Sequence, residues 1–179
     1  MLIFEQEKWI EHLSDTDAIF IVPFDATTEE KFQRIKAKIQ EALGGNVRVE
    51  HHGASSLGIS GQDEIDVYIP TAPDSFDEVV DSLKGIFGEP RSLYPLRRAR
   101  FVTEEEGKHI DIFPINEESD DWKDLVKFET ILRNDPIKLG EYRKLKESGN
   151  GLTTREYYRR KIEYINEILK EKIKTAGRL

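Results

Sequence analysis

The stretch Glu64–Ile69, EIDVYI, sets two carboxylates one residue apart in a run of alternating apolar and polar side chains. In an extended strand successive side chains point to opposite faces, so Ile65, Val67 and Ile69 share one face and Glu64, Asp66 and Tyr68 the other. The aliphatic trio belongs against a core, and the two acids project together with α-carbons roughly 6.5–7 Å apart. Carboxylates side by side repel each other, and a divalent cation is the usual remedy. A third acid comes from HIDIF, where Ile110 and Ile112 oppose His109, Asp111 and Phe113. If that strand lies beside Glu64–Ile69 with matching faces, three carboxylates converge. Such a cluster holds two Mg²⁺ (or Mn²⁺) ions about 3.5–4 Å apart, the arrangement used for in-line phosphoryl or nucleotidyl transfer.

The link before the acid pair, GASSLGISGQ, supplies the other half of a phosphate site. Gly53 permits a tight exit from a strand and close approach of backbone to a ligand. Ser55 and Ser56 suit the start of a short helical turn, where amides and hydroxyls bind anionic oxygens. With Ala54 they form the candidate substrate-binding segment. Arg98 and Arg100 point the same way by alternation and suit either a phosphate tail or an ion pair with nearby acids. Asp111 likewise admits two readings, a metal ligand or the cross-strand partner of Arg100. Lys161 reaches a nucleotide if the final helix packs over the cleft, and is otherwise an ordinary helix-surface residue. Of His51 and His52, which flank the turn, one must face inward and reads as a satisfied structural histidine, and Trp9 and Trp122 read as core or interface anchors.

These residues must be positioned by a mixed α/β (α+β) framework. Before Asn116 short β-branched runs alternate with helical ones; from Asn116 onward helix follows helix. The spacing predicts a helix over Phe4–Leu13, a buried strand over Ala18–Pro23 (AIFIVP) and a helix from Thr27 or Thr28 that Gly44-Gly45 closes. It predicts strands over Val47–His51 and Glu64–Ile69, the latter stopped by Pro70, and a helix over Asp74–Phe87. Arg98–Thr103 and His109–Phe113 then flank EEEGK as an antiparallel hairpin, with Gly107 left-handed in the turn and Pro114 ending the second strand. Helices follow over Ser119–Arg133, Pro136–Glu147 and Thr153–Lys174. The whole is expected to be a single domain, with an α/β core over 18–115 and a helical part over 116–179 packed on it.

Composition narrows the functions such a site could serve. The chain has 179 residues, no cysteine, and 35 acids against 27 Lys and Arg, a net charge of −8. Absence of cysteine excludes disulfides, thiol nucleophiles and thiolate metal sites. The four histidines, His12, His51, His52 and His109, form no metal-binding HExxH spacing. Net negative charge disfavours nonspecific nucleic-acid affinity. No apolar run reaches the roughly 20 residues of a membrane span, and the N-terminus lacks the pattern of a signal peptide. A cytoplasmic protein is expected.

With these residues in view, HHGASSLGISGQDEIDVYI (51–69) resembles the nucleotidyltransferase superfamily that includes DNA polymerase β, and within it the GrpB family. The stretches DDWKDLVKFETILRNDPIKLGEYRKLK and EYYRRKIEYINEIL are similar to GrpB tails. The resemblance implies a nucleotidyltransferase-like mixed sheet flanked by helices. It also implies transfer of a nucleoside monophosphate from a nucleoside triphosphate to an acceptor that nothing here chooses, whether a small metabolite, a protein side chain or RNA. Glu64, Asp66 and Asp111 would hold Mg²⁺ and carry the catalysis, Asp111 in a base-like role. The chain departs from the family pattern at Ala54, at the Pro expected before Gly58, at Gln62-Asp63 in place of Lys-Pro, and at Asp111, where GrpB proteins often carry His. Asp111 supplies the third carboxylate of the superfamily pattern, whereas the missing Pro, the lost Lys and Glu in place of Asp at position 64 favour the alternative of a catalytically inactive nucleotide-binding or interaction module of the same fold.

Overall fold

The computed structural model describes residues 1–175, with side chains described as far as residue 170. The chain gathers into two compact units. One comprises Phe24–Ile59 and Asp63–Leu125, and the other comprises Met1–Pro23, Ser60–Gln62 and the chain from Val126 onward.

The first unit is built on five strands: β1 (Glu50–His52), β2 (Glu64–Thr71), β3 (Ser92–Tyr94), β4 (Arg98–Glu105) and β5 (Lys108–Asn116). Their order is β1-β2-β5-β4-β3, with β2 and β5 parallel and every other pair antiparallel. The expected α/β fold class is what the chain adopts. Helix α2 (Thr28–Leu43) carries Phe32, Ile35 and Ile39 at helical spacing, and α4 (Phe76–Phe87) carries Phe76, Val80 and Leu83. Both stripes are buried in one core with Ile65, Val67, Ile69, Ile110, Ile112 and Phe101 of the sheet. The period of 3.6 in the helices and of 2 in the strands thus brings every apolar stripe to one side of the sheet.

The opposite face changes character along its length. At the start of β2 and β5 it carries Glu64, Asp66, His109 and Asp111; further along it carries Tyr68 and Phe113, whose rings stack 4.7 Å apart. Trp122, near the start of α5 (Asp120–Asn134), is buried and lies over Tyr68, and His52 of β1 meets both rings edge-on at 5.2 and 5.3 Å. The expected role of Trp122 as an anchor is met there.

Several expected boundaries moved. The β4–β5 hairpin turns on Glu106 and Gly107, with φ of +49° and +76°, the paired left-handed conformation of a two-residue turn. Neither proline ends its strand, as β2 runs through Pro70 to Thr71 and β5 through Pro114 to Asn116. Pro70 lies beyond the last β1 partner, Tyr68, and Pro114 falls in the gap between the Ile112 and Ile115 pairings with β4, so a missing N–H is tolerated at both. Strand β1 is shorter than Val47–His51, and β3, bracketed by Pro90 and Pro95, is too short to show alternation in sequence.

The second unit holds α1 (Phe4–Glu11), α6 (Pro136–Ser148), α7 (Thr154–Thr175) and α5 from Val126 on. Here the strand expected over Ala18–Pro23 does not form. That segment makes only isolated bridges, Ala18 to Thr153 and Val22 to Gly61. Its amides find other partners: Ile19 donates to Leu152 O at 2.8 Å and Ile21 to Asn150 Oδ1 at 2.9 Å, both in the α6–α7 link. The apolar run Ala18–Val22 predicts a buried strand, yet Phe20 is exposed and only Ile19 of the run is buried. Pro136 opens α6 behind Asp135, whose carboxylate accepts from Ile137 N and Lys138 N. No helix among the described residues is long and apolar enough to cross a membrane.

Candidate metal and phosphate site

Parallel pairing of β2 with β5 sets Glu64 beside His109 and Asp66 beside Asp111. Partners across a sheet share a face, so the three acids predicted to converge do lie on one face of adjacent strands. Glu64, Asp66, Asp111, Arg98, Arg100 and Gly53–Ser56 belong to the same unit; Lys161 belongs to the other, where its Nζ lies over the Tyr158 ring at 5.2 Å.

Asp111 is buried and already holds a cation. Arg100 Nε donates to its Oδ1 at 2.9 Å and Nη2 to its Oδ2 at 3.1 Å, a two-pronged ion pair, and His109 Nε2 lies 3.1 Å from Oδ1. Arg100 sits diagonally across from Asp111, because β4 pairs Val102 with Asp111. The ion-pair reading of Asp111 is therefore realised. A carboxylate offers about four acceptor positions, and these three contacts take three of them. Such an acid is a poor candidate for a free base, though one able to share a further cation. Arg98, on the same face, pairs with rings instead, lying 5.5 Å from the centre of Phe113 and 5.9 Å from that of Tyr94.

Asp66 is placed by the turn that follows β1. Gly53 has φ of +78°, and a Cβ there would collide with Asp66 Oδ2 and come within 3.1 Å of its Cγ. Glycine is required twice over, for the backbone angle and for the carboxylate that lies against it. The segment Gly53–Ser56 forms a single helical turn, α3. Its hydroxyls have internal work. Ser56 Oγ donates to Gly53 O at 2.9 Å, and Ser55 Oγ lies 2.9 Å from His51 Nε2. His51 stacks on Phe32 and lies 3.2 Å from Glu29 through Nδ1, a histidine held by its neighbours.

Immediately before the acid row, Lys108 and Asp63 form an ion pair, and Lys108 also reaches Asp25 at 3.1 Å. Burial alone would pull the Lys108 ammonium down, but hydrogen bonds to Asp63 and Asp25 outweigh it and hold its pKa above the ordinary value. The Thr27 hydroxyl and amide, with Lys108, keep the Asp25 carboxyl well below the usual carboxylate range. Because Asp63 precedes Glu64 and Lys108 precedes His109, this pair fixes the spacing of the two strand starts. It joins residues far apart in sequence, and no local pattern announces it.

The donors suit a divalent cation. Among the described residues, Glu64, His109 and Asp111 each offer a ligand atom within 4.8 Å of the others. In sequence His109 shares a strand face with Asp111 two residues away, and that spacing is the signal that marks it as a donor.

A family model described as GrpB protein matches residues 18–171. No curated protein matches the chain. Among solved structures, the crystal structure of conserved protein GrpB from Enterococcus faecalis is similar with a TM-score of 0.68 and 18% identity, over 88% of this chain and 99% of that one. At that identity the likeness speaks for the fold.

Proposed function

The chain belongs to the GrpB family, and on that premise we propose that its acid-bearing sheet face is a metal-dependent nucleotidyl-transfer site. The observation that carries this reading is the parallel register that aligns Asp66 with Asp111 and Glu64 with His109 on one face. In the proposed reaction an acceptor hydroxyl or phosphate attacks the α-phosphorus of a nucleoside triphosphate in line. The new oxygen–phosphorus bond forms as the α–β bridging bond breaks, pyrophosphate leaves with the electron pair, and the proton of an attacking hydroxyl passes to solvent. Glu64, Asp66 and Asp111 would hold Mg²⁺ or Mn²⁺. When bound, that ion supplies neutralisation of the phosphate oxygens and lowers the pKa of the acceptor. Backbone amides of Gly53, Ala54, Ser55 and Ser56 would hold phosphate oxygens, with Arg98 and Arg100 further proposed contacts of the substrate. An acidic protein recruits a triphosphate through such local groups rather than through bulk charge.

Incubation of the protein with α-labelled nucleoside triphosphates, Mg²⁺ and cell extract tests this. Label should transfer to an acceptor, and Asp66→Asn and Glu64→Gln should abolish transfer. Transfer that survives Asp66→Asn would remove this face from the reaction.

A second reading, a nucleotide-binding or interaction module without turnover, is favoured by two specific observations. Arg100 occupies both oxygens of Asp111, and Ser55 and Ser56 spend their hydroxyls within the protein. Mg²⁺-dependent triphosphate binding with no labelled product under any acceptor condition would establish it.

A further inference from the structure

Strand β4 has a partner along its full length on one side only. Its pairing with β5 runs from Arg98 to Glu105, but on the other side β3 reaches only Arg98, Ala99 and Arg100. In a hairpin with a two-residue turn the residues that flank the turn bond each other. Glu105 and, by alternation, Thr103 and Phe101 therefore aim their backbone groups at β5. Val102 and Glu104 aim theirs outward, as does Arg100, whose carbonyl accepts from Arg91 N at 2.7 Å on that outer side. Among the described residues no hydrogen bond reaches the outward N–H or C=O of Val102 or Glu104. Two donors and two acceptors thus stand in a row at the margin of the sheet, a template for one more strand.

The charge beside that row selects the occupant. Arg34 of α2 meets Glu30, Glu105 and Glu106, each at 2.8 Å, so three carboxylates share one guanidinium. Glu104 adds a fourth acid, exposed and on the opposite face of the strand from Glu105. Arg91 stands at the other end of the open stretch, where the β3 pairing closes, and keeps a cationic segment toward the turn. A second copy of this chain would bring a like-charged edge against these acids. We propose that the outer edge of β4 from Val102 to Glu105 docks an extended, basic segment of another protein, which adds as a sixth strand. Main-chain bonds to Val102 and Glu104 hold the segment, and successive Lys or Arg side chains opposite Glu104 and Glu105 meet one acid on each face. The edge uses none of the chemistry proposed for Glu64, Asp66 and Asp111.

The probe is a fluorescein-labelled octapeptide, Thr-Val-Thr-Lys-Lys-Thr-Val-Thr, whose palindromic order suits either strand direction. Its binding to the full chain is followed by fluorescence anisotropy, and amide exchange by nuclear magnetic resonance. The lysine peptide should bind. A version with Glu-Glu in place of Lys-Lys should bind about tenfold more weakly, and one N-methylated at alternate amides should not bind. The Val102 and Glu104 amides should exchange quickly in the protein alone and about tenfold more slowly with peptide, while Phe101 and Thr103, bonded to β5, stay slow throughout. Val102→Pro removes one outward N–H and spares the β5 ladder, because an edge tolerates proline where its N–H faces out; it should weaken the peptide about tenfold. Glu104→Gln should weaken it about threefold and flatten its salt dependence. Peptide binding that leaves exchange at Val102 and Glu104 unchanged overturns the proposal, whatever the variants do. So do equal affinity for the glutamate peptide and absence of binding by the lysine peptide. Protection of the same two amides by raised protein concentration alone would assign the edge to a second copy and overturn it as well.

Discussion

Asp66 Oδ2 occupies the space that a side chain on Gly53 would need. The turn after β1 and the acid of β2 are therefore one packing unit, although 13 positions separate them in the numbering of the chain. Substituting alanine at Gly53 meets both the left-handed φ and the carboxylate. Gly53→Ala should lower stability by about 1–3 kcal/mol, measured as a fall in the urea midpoint at constant slope. A variant as stable as the native protein would show that Asp66 is free to move away.

The pair of Arg100 and Asp111 should show strong coupling. Arg100→Met alone leaves a buried carboxylate without its cation, and a loss of about 2–4 kcal/mol is expected. The double variant Arg100→Met, Asp111→Leu removes both charges and should be more stable than either single variant. Urea unfolding of all four proteins completes the cycle. Additive losses would mean that the pair contributes nothing beyond its separate side chains.

Acid should weaken the fold through Asp25. Its carboxyl is held below the ordinary value of 3.8, chiefly by the Thr27 hydroxyl and amide and then by Lys108. A carboxyl depressed in the folded state binds fewer protons there than in the unfolded chain. Its stabilisation is thus present above pH 3.8 and is lost as pH falls below it. Thr27→Val removes the hydroxyl and should flatten this acid limb, seen as a smaller drop in melting temperature below pH 4. Lys108 has the opposite sign. Its pKa is raised above 10.5, so its contribution is full below that pH and is lost as pH climbs past the raised value.

Trp122 covers the aromatic end of the acid-bearing face. Trp122→Ala should cost about 3–5 kcal/mol by exposing Tyr68 and His52 and leaving a cavity. Thermal unfolding measures this. Trp122→Phe, which keeps a ring, should recover more than half of the loss.

How legible all this was in sequence depended on range. Ile65, Val67 and Ile69 announce their face by alternation alone, and the same parity put Glu64, Asp66 and Asp111 on the other side before any partner strand was known. Gly107 gave the hairpin by its backbone freedom. AIFIVP misled because a short apolar run looks alike whether its amides find a sheet or a loop; here Leu152 and Asn150 took them. Pro70 and Pro114 misled because a proline's cost depends on whether a neighbouring strand needs the missing N–H, which is a property of topology. The contact of Lys108 with Asp25 and Asp63 joins three distant points in the chain, and only folding brings them within reach.

The two outermost strands, β1 and β3, are three residues each, and β3 lies between Pro90 and Pro95. The margins that β1 and β3 themselves present are three residues long, and prolines on both sides of β3 prevent its lengthening. Even crowded or partly heated, the protein should therefore add no foreign strand onto β1 or β3 themselves, and any intermolecular pairing would have to begin on β4 beyond Arg100.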